Sequence, residues 1–182
     1  IAGMFPWNFF AQSVSHATMS VLDAGPLIRK AVFPRMLIPL SIVAANLVNF
    51  LLALLVVLAI ILACGLGLSP WMWLLPGVIG LELMLTIGVV LLVAGLQVRY
   101  RDVKYLTEVS LLLWFYLTPI FYPLALIATV PAALRSLYLL NPFVGVAELY
   151  RLTLLGEASG PAVLAPSWLF GMAVVGSVVT LL

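Results

Sequence analysis

The sequence has little charge. Only 8% of its 182 residues are Asp, Glu, Lys or Arg, whereas 65% are hydrophobic. Soluble domains carry about 25% charged residues, and a soluble chain of this size has no interior large enough to bury so much apolar surface. Lipid is therefore the expected solvent, and a membrane protein is the expected class. The net charge of +2 is too small to indicate a nucleic-acid partner.

Residue types for metal binding and nucleophilic catalysis are also scarce. Cys64 is the only cysteine, which excludes an internal disulfide and a Cys-based metal site, and its apolar surroundings predict a small buried side chain. His16 is the only histidine, so a His-based metal site or catalytic triad within this chain is excluded. The glycine-containing stretch GLGLSPW lacks the lysine and the strand context of a phosphate loop. We therefore predict no cofactor in this chain, no enzyme activity and no nucleotide hydrolysis by it.

Long apolar runs dominate what is present. They cover residues 1–20, 37–64, 72–98, 106–122 and 167–182, the first and last being incomplete. Lipid does not tolerate exposed backbone, and the runs are too long and lack the alternation expected of barrel strands. The predicted fold is an all-α integral membrane protein with five transmembrane helices in this chain. Because the chain starts at Ile1 and stops inside an apolar run, we expect an internal piece of a longer protein, with residues 1–182 forming one transmembrane domain.

The cations predict the orientation in the membrane. Six of the eight Lys and Arg residues lie in two clusters, Arg29, Lys30 and Arg35, then Arg99, Arg101 and Lys104. Two predicted spans separate the clusters, so both lie on one side of the membrane. By the positive-inside rule this side is the cytoplasm. The connection at 65–71 and the stretch 123–165 are then expected on the outer side.

The outer stretch is too broken by prolines to span the membrane and too apolar for an ordinary loop. Its central part, residues 124–160, is predicted to be a re-entrant helical hairpin, with Asn141 capping a helix that starts at Pro142. The alternative is a pair of amphipathic helices lying on the outer surface. Glu148 and Arg151 share one helix face, either as a local ion pair or as part of a transport pathway.

Two further features are open to more than one interpretation. Glu82 lies within an apolar run, where an ionised acid is costly; a structural hydrogen bond is preferred over a role in the conduit. The aromatic side chains are explained either by interfacial belts or by stacking against sugar rings. The candidate pathway and gate residues are Trp7, Phe10, Tyr116, Phe121, Tyr122, Asn141, Glu148 and Arg151.

The first cationic cluster is mixed with apolar side chains. In LIRKAVFP the cations alternate with aliphatic and aromatic residues between Pro26 and Pro34. A short amphipathic turn of this kind is typical of a docking element, in which apolar side chains fill a groove and cations set the orientation. The docking candidates are Leu27, Ile28, Arg29, Lys30, Phe33, Pro34 and Arg35.

LIRKAVFPRMLIPLS resembles the first cytoplasmic loop of the permease subunits of bacterial ABC-2 type exporters for polysaccharides and polyol phosphates, which handle O-antigen, capsule and teichoic acid. AGMFPWNFFAQSVSHATMSV is similar to the second span of that family. VRYRDVKYL is similar to its second cytoplasmic loop, with Arg101 and Asp102 as the Arg-Asp pair. FYLTPIFYP and LLNPFVGVAELYR resemble the end of its fifth span and its outer re-entrant segment.

The resemblance implies a multi-pass protein of the bacterial plasma (inner) membrane with six spans, of which this chain carries the second to the sixth. It implies a homodimer of permeases with two copies of a soluble ABC ATPase, and ATP and Mg²⁺ bound by that ATPase. Residues 24–35 would be the cytoplasmic coupling loop, joined by Arg101 and Asp102. The substrate would be a glycan or polyol phosphate, commonly linked to undecaprenyl diphosphate, and residues 124–160 would supply the outer gate.

Three other functions compete with glycan export. A permease of the same architecture could export a drug or a lipid. An intramembrane glycosyl-lipid enzyme would need paired acids near a membrane face, a pattern this sequence lacks. A passive channel would not need an apolar and basic docking loop.

Overall fold

The described residues form a helical bundle. The computed structural model describes residues 3–23, 36–64, 69–100, 102–118, 120 and 141–156, and within them the secondary structure is helix and turn without strand. The helices in these ranges are α1 (Met4–Asp23), α2 (Leu37–Ala63), α3 (Leu75–Arg99), α4 (Val103–Leu117) and α5 (Pro142–Leu155). A short 3-10 helix, Met72–Leu74, leads into α3. The predicted all-helical class is confirmed at this level, whereas five spans and an outer hairpin stay predictions.

Two helical stretches are long and apolar enough to cross a membrane, Leu37–Ala63 and Met72–Arg99. At about 1.5 Å per residue, α2 is about 40 Å long, which exceeds the ~30 Å hydrocarbon core of a bilayer. These bounds agree with the runs predicted at 37–64 and 72–98. Both stretches lie within the described ranges, and they flank the connection at residues 64–71, of which residues 65–68 lie outside those ranges.

Prolines mark where four of these helices begin. Proline has no amide hydrogen to donate and fixes φ near the helical value, so it fits the first turn and breaks an interior. Each proline inside the five described helices lies within the first three positions of its helix: Pro6 in α1, Pro39 in α2, Pro76 in α3 and Pro142 in α5.

Helix α1 lies at the centre of the bundle, because it packs against α2, α3, α4 and α5. Its contacts with α2 fix the relative direction of the two helices. The Asn46 amide donates a 3.3 Å hydrogen bond to the Ser13 hydroxyl, and the rings of Phe9 and Phe50 lie 5.2 Å apart. The step of four residues from Asn46 forward to Phe50 on α2 corresponds to a step of four residues from Ser13 back to Phe9 on α1. The two helices are therefore antiparallel.

Helix α2 is apolar on every side but buried on only one. Val43, Phe50 and Leu54 face the bundle, whereas Leu52 and Leu55 on the other side are exposed. A helix that is apolar all round and in contact with protein along one stripe is expected where the remaining surface meets lipid. The packing of α2 therefore fits the membrane span predicted from its composition.

Cys64 is exposed, which contradicts the expectation of a buried side chain. The residue lies one position beyond the last residue of α2 and caps it, with its amide donating to the Ile60 carbonyl. Apolar neighbours in the sequence therefore did not place Cys64 in the core, because the inward stripe of α2 does not reach it.

Helix α4 is shifted from the run predicted at 106–122. It begins at Val103 and ends at Leu117, and the next residue, Thr118, is extended with φ −101° and ψ 131°. Thr118 precedes Pro119, and a residue before proline is driven out of the helical region by contact with the proline ring. The proline therefore ends α4 although the apolar run continues.

We expect Phe50→Ala to lower the free energy of unfolding by about 3 kcal/mol, since it leaves a cavity between α1, α2 and α5. Leu52→Ala on the exposed side of α2 is the matched control and is expected to change stability by less than about 0.5 kcal/mol. Thermal unfolding of both purified variants in detergent measures the difference. Equal losses would show that the Phe50 side of α2 does not face the bundle.

Candidate functional site

The predicted ATPase-coupling residues fall mostly outside the described ranges. This holds for Leu27, Ile28, Arg29, Lys30, Phe33, Pro34, Arg35 and Arg101, so only Asp102 is placed. Asp102 is exposed and directly precedes α4, without a side-chain hydrogen bond to the first amides of that helix. Arg99 and Lys104 lie near it in the chain, each 5.9 Å from the ring centroid of the adjacent tyrosine. The end of α3 and the start of α4 thus carry a mixed basic and aromatic surface.

Trp7 and Phe10 belong to an aromatic cluster with the buried Phe143 and the partly buried Trp114 and Phe115. Their spacing of three residues places both rings on one side of α1. The ring of Phe143 lies 5.0 Å from Trp7 and 5.1 Å from Phe10, and the ring of Trp114 lies 5.2 Å from Phe10. Several of these pairs are edge-to-face, the arrangement that the charge distribution of aromatic rings favours. The cluster therefore joins α1 to α4 and α5, and its rings contact one another.

Asn141 connects the end of α4 to the start of α5. Its side-chain oxygen accepts from the Phe143 amide over 3.0 Å, which caps α5, and from the Trp114 indole N–H over 2.8 Å. Its side-chain nitrogen donates to the Thr118 hydroxyl over 2.9 Å, and that hydroxyl donates to the Trp114 carbonyl. The cap predicted from the sequence is confirmed, and the same side chain also holds α5 against α4.

Glu148 and Arg151 form an ion pair on α5. One guanidinium nitrogen donates to Glu148 Oε1 over 2.6 Å, and another donates to the Ile120 carbonyl over 2.9 Å. The Glu148 side chain is buried and that of Arg151 is nearly so. A charge pair removed from water is stabilised only when further hydrogen bonds satisfy its remaining atoms. The Ile120 carbonyl supplies such a bond and links the pair to the segment that follows α4.

The remaining predicted aromatic residues differ in their surroundings. Tyr116 is 70% exposed on α4, with its ring 5.5 Å from Phe115. Phe121 and Tyr122 lie outside the described residues. Among the predicted aromatic residues that are described, Tyr116 alone presents its ring to the surroundings, since Trp7 and Phe10 are packed inside the bundle.

Tyr150 is a residue that the sequence did not single out. Its hydroxyl donates to Glu82 Oε2 over 2.6 Å, and both side chains are buried. The sequence marked Glu82, because an acid inside an apolar run needs a partner, and the preferred structural hydrogen bond is confirmed. The partner lies 68 positions away, and no local spacing indicates it.

These polar groups join helices to one another. Within residues 3–23, 36–64, 69–100, 102–118, 120 and 141–156, no three His, Cys, Asp or Glu side chains come together as a metal site. The polar side chains instead join α5 to its neighbours, through Asn141 at its start and through Tyr150 and Arg151 further along. While these bonds are intact, they fix the position of α5. If they break, α5 can move.

A family comparison agrees with this architecture. The family model of the ABC-2 type transporters matches residues 1–155, which include all five described helices. The match covers the first cationic cluster, the second cationic cluster and α5 in one alignment. It therefore supports the order of segments on which the sequence resemblance was based.

Individual relatives agree as well. The chain is 35% identical over 150 residues to the O-antigen export system permease protein RfbA of Myxococcus xanthus, covering 82% of this chain and 57% of the relative. It is 33% identical over 123 residues to an RfbA protein of the same description from Klebsiella pneumoniae, covering 67% of this chain and 48% of the relative. The chain thus spans about half the length of the curated relatives it matches. The resemblance stated from the sequence is confirmed, and the chain belongs to the ABC-2 type transporter family of membrane proteins.

Proposed function

We propose that the protein is the permease subunit of an ATP-driven exporter that moves a polysaccharide or polyol phosphate, linked to an undecaprenyl carrier, across the bacterial plasma membrane. The observation that carries this proposal is the 35% identity over 150 residues to a permease described as an O-antigen export protein. An exporter of drugs or lipids could share the family, but the matched relatives favour a glycan. The permease itself hydrolyses no ATP; a separate soluble ATPase does.

The two cationic clusters are the proposed contact with that ATPase. Residues 24–35 precede α2, and residues 99–104 run from the last residue of α3 into the start of α4. The connection at 64–71 joins the other ends of α2 and α3. Two crossings return the chain to the side where it started, which supports a shared cytoplasmic side. Phe33 and its aliphatic neighbours would fill a groove on the ATPase, while Arg29, Arg35 and Arg101 orient it. Two ATPase copies and a second permease copy complete the proposed complex.

Helix α5 is the proposed outer gate element. Its 14 residues reach about 21 Å, too short to cross the ~30 Å hydrocarbon core alone, yet residues 143–150 and 152–154 are buried on every side of the helix. An amphipathic helix lying on the membrane surface would leave one side exposed. The burial of α5 therefore supports a helix inserted among the others, as in a re-entrant hairpin whose other arm lies outside the described residues.

The substrate pathway is proposed to run beside the aromatic cluster. Tyr116 has an accessible ring, and an aromatic face packs well against the apolar face of a pyranose. Trp7 and Phe10 can reach a sugar only when α1 separates from α4 and α5, because their rings now contact Trp114 and Phe143. Opening the path would therefore require the links through Asn141, Glu148 and Arg151 to rearrange.

The direct test of this function is transport in vesicles. Permease and ATPase are reconstituted together with the ATPase outside, and a labelled undecaprenyl-linked glycan is added to the outer leaflet. We expect ATP-dependent protection of the glycan from an added glycosidase, and none with an ATPase that cannot hydrolyse ATP. ATP-dependent movement of a labelled phospholipid or drug, with the glycan left unprotected, would contradict glycan export and support the rival substrate class.

Phe33→Asp is expected to abolish co-purification of the ATPase, because a carboxylate cannot fill an apolar groove without losing its hydration. The matched control is Trp73→Asp, an equivalent change at an exposed aromatic residue in the 3-10 helix that leads into α3. Affinity purification of tagged permease measures the bound ATPase. Retention of the ATPase by Phe33→Asp, at the level seen for Trp73→Asp, would refute the coupling role.

Tyr116→Ala is expected to slow export per permease molecule at least about fivefold, the loss of one stacking contact of ~1 kcal/mol. Trp73→Ala is its control, because both aromatic side chains are similarly exposed, at 70% and 73%. Export is normalised to the amount of permease in the membrane. If the two variants transport equally well per molecule, Tyr116 is an interfacial anchor and not part of the pathway.

A further inference from the structure

A buried hydrogen bond joins α3 to α5 inside the bundle. The Tyr150 hydroxyl and Glu82 Oε2 lie 2.6 Å apart, and both side chains have no exposed surface. The ring of Phe50 on α2 meets the Tyr150 ring edge-on at 6.1 Å. Tyr150 is therefore held between two of the long helices, with its polar end on one and its ring against the other.

The Glu82 carboxyl has no compensating cation among the described residues. Within the described ranges its only side-chain bond is the one to Tyr150, it takes part in no ion pair, and its Oε1 accepts no hydrogen bond. An ionised carboxylate in such surroundings carries the full cost of leaving water. A neutral carboxylic acid avoids that cost and still accepts a hydrogen bond from the Tyr150 hydroxyl, so the contact depends on one hydrogen bond between uncharged groups.

The side of α5 that bears Tyr150 differs from the side that bears the ion pair. At about 100° per residue, Glu148 and Arg151 lie about 60° apart around the helix axis, while Tyr150 lies about 160° from the first and 100° from the second. Arg151 reaches the Ile120 carbonyl beyond α4. A bond from Tyr150 toward α3 therefore fixes the rotation of α5 that directs Glu148 and Arg151 toward the end of α4.

We propose that Glu82 and Tyr150 form an uncharged hydrogen-bonded pair that sets the position of α5, so that both are positioning residues for Glu148 and Arg151. The effect on export rests on the proposed function, whereas the position of α5 does not. Because Glu82 Oε1 has no second bond among the described residues, removal of one hydroxyl is enough to break the contact.

The position of α5 is measured as a distance between two spin labels. One is attached to the native Cys64, exposed at the end of α2, and the other to Leu155→Cys, exposed at the last residue of α5. Labelled permease is diluted with unlabelled permease and studied with its ATPase in lipid nanodiscs. The parent protein is expected to give one narrow distance distribution. In Tyr150→Phe, a second distance is expected from molecules in which α5 has left its position against α3. The ratio of molecules with α5 in place to molecules with α5 displaced should fall about fivefold to tenfold, which corresponds to the loss of one net hydrogen bond.

Glu82→Gln tests whether the Glu82 side chain is uncharged in the pair. Glutamine keeps an oxygen that accepts from Tyr150 but cannot ionise, so this variant should keep the parent distribution. Tyr105→Phe is the matched control, since it removes an exposed tyrosine hydroxyl on α4 and should leave the distance distribution unchanged. An unchanged distribution in Tyr150→Phe would overturn the positioning role. Equal broadening in Glu82→Gln and Tyr150→Phe would overturn the uncharged state.

If Tyr150→Phe does not accumulate in the membrane, the double variant Glu82→Leu with Tyr150→Phe is measured in its place. Removing both polar groups leaves no buried group unsatisfied, so the protein should accumulate and still show a displaced α5; a parent-like distribution would overturn the proposal. Export is then measured on the same samples. If the parent protein moves no glycan while the variants show the expected distance changes, only the proposed function is contradicted. If the parent protein exports normally and the variants show unchanged distances, only this inference is contradicted.

Discussion

The structure depends on the cost of leaving a polar group without a partner where water is absent. In a bundle bounded by lipid, each buried hydroxyl, amide or carboxyl must be satisfied by another part of the protein. The simplest solution is local: the hydroxyls of Thr18, Thr86, Thr107 and Thr153 each donate to the carbonyl four residues earlier in their own helix. Other buried groups, Glu82 and Asn46 among them, find their partners on other helices.

Those bonds between helices determine where α5 lies. Asn141 attaches its start to α4, Tyr150 attaches its middle part to α3, and the Leu152 carbonyl accepts from Ser69 in the connection after α2. Gly156 then ends the helix in the left-handed conformation, with φ 69°. A helix of 14 residues is too short to be stable by itself in this position. Contacts with α1, α3 and α4 therefore supply the stability that its length does not.

The residues of the proposed ATPase contact and those of the proposed gate lie in different parts of the bundle. The basic and aromatic segments lie where α3 ends and α4 begins, while the polar links of α5 lie toward the end of α4. Helix α1 packs against α2, α3, α4 and α5, and the aromatic cluster joins it to α4 and α5. Close-packed rings leave little free volume between these three helices.

Much of this protein was determined by sequence alone. The scarcity of charge implied lipid as solvent, and the apolar runs predicted α2 and the helical stretch Met72–Arg99, which includes α3, to within one residue. Asn141 before Pro142 predicted the start of α5. Segment order and local motifs also indicated the family, since each is a property of adjacent residues. The end of α4 was predicted less accurately, because the apolar run continues past Thr118 while the helix ends there.

Only the tertiary structure decided which buried groups meet. It paired Glu82 with Tyr150, joined Arg151 to the Ile120 carbonyl, and placed Trp7 against Phe143. Helical periodicity states which side of a helix a residue occupies but not which helix lies opposite. That choice depends on the simultaneous packing of α1, α3, α4 and α5, where each buried polar atom must find a partner across large sequence separations. The physical reason is that packing and desolvation act on neighbours in space, and a sequence lists neighbours in the chain.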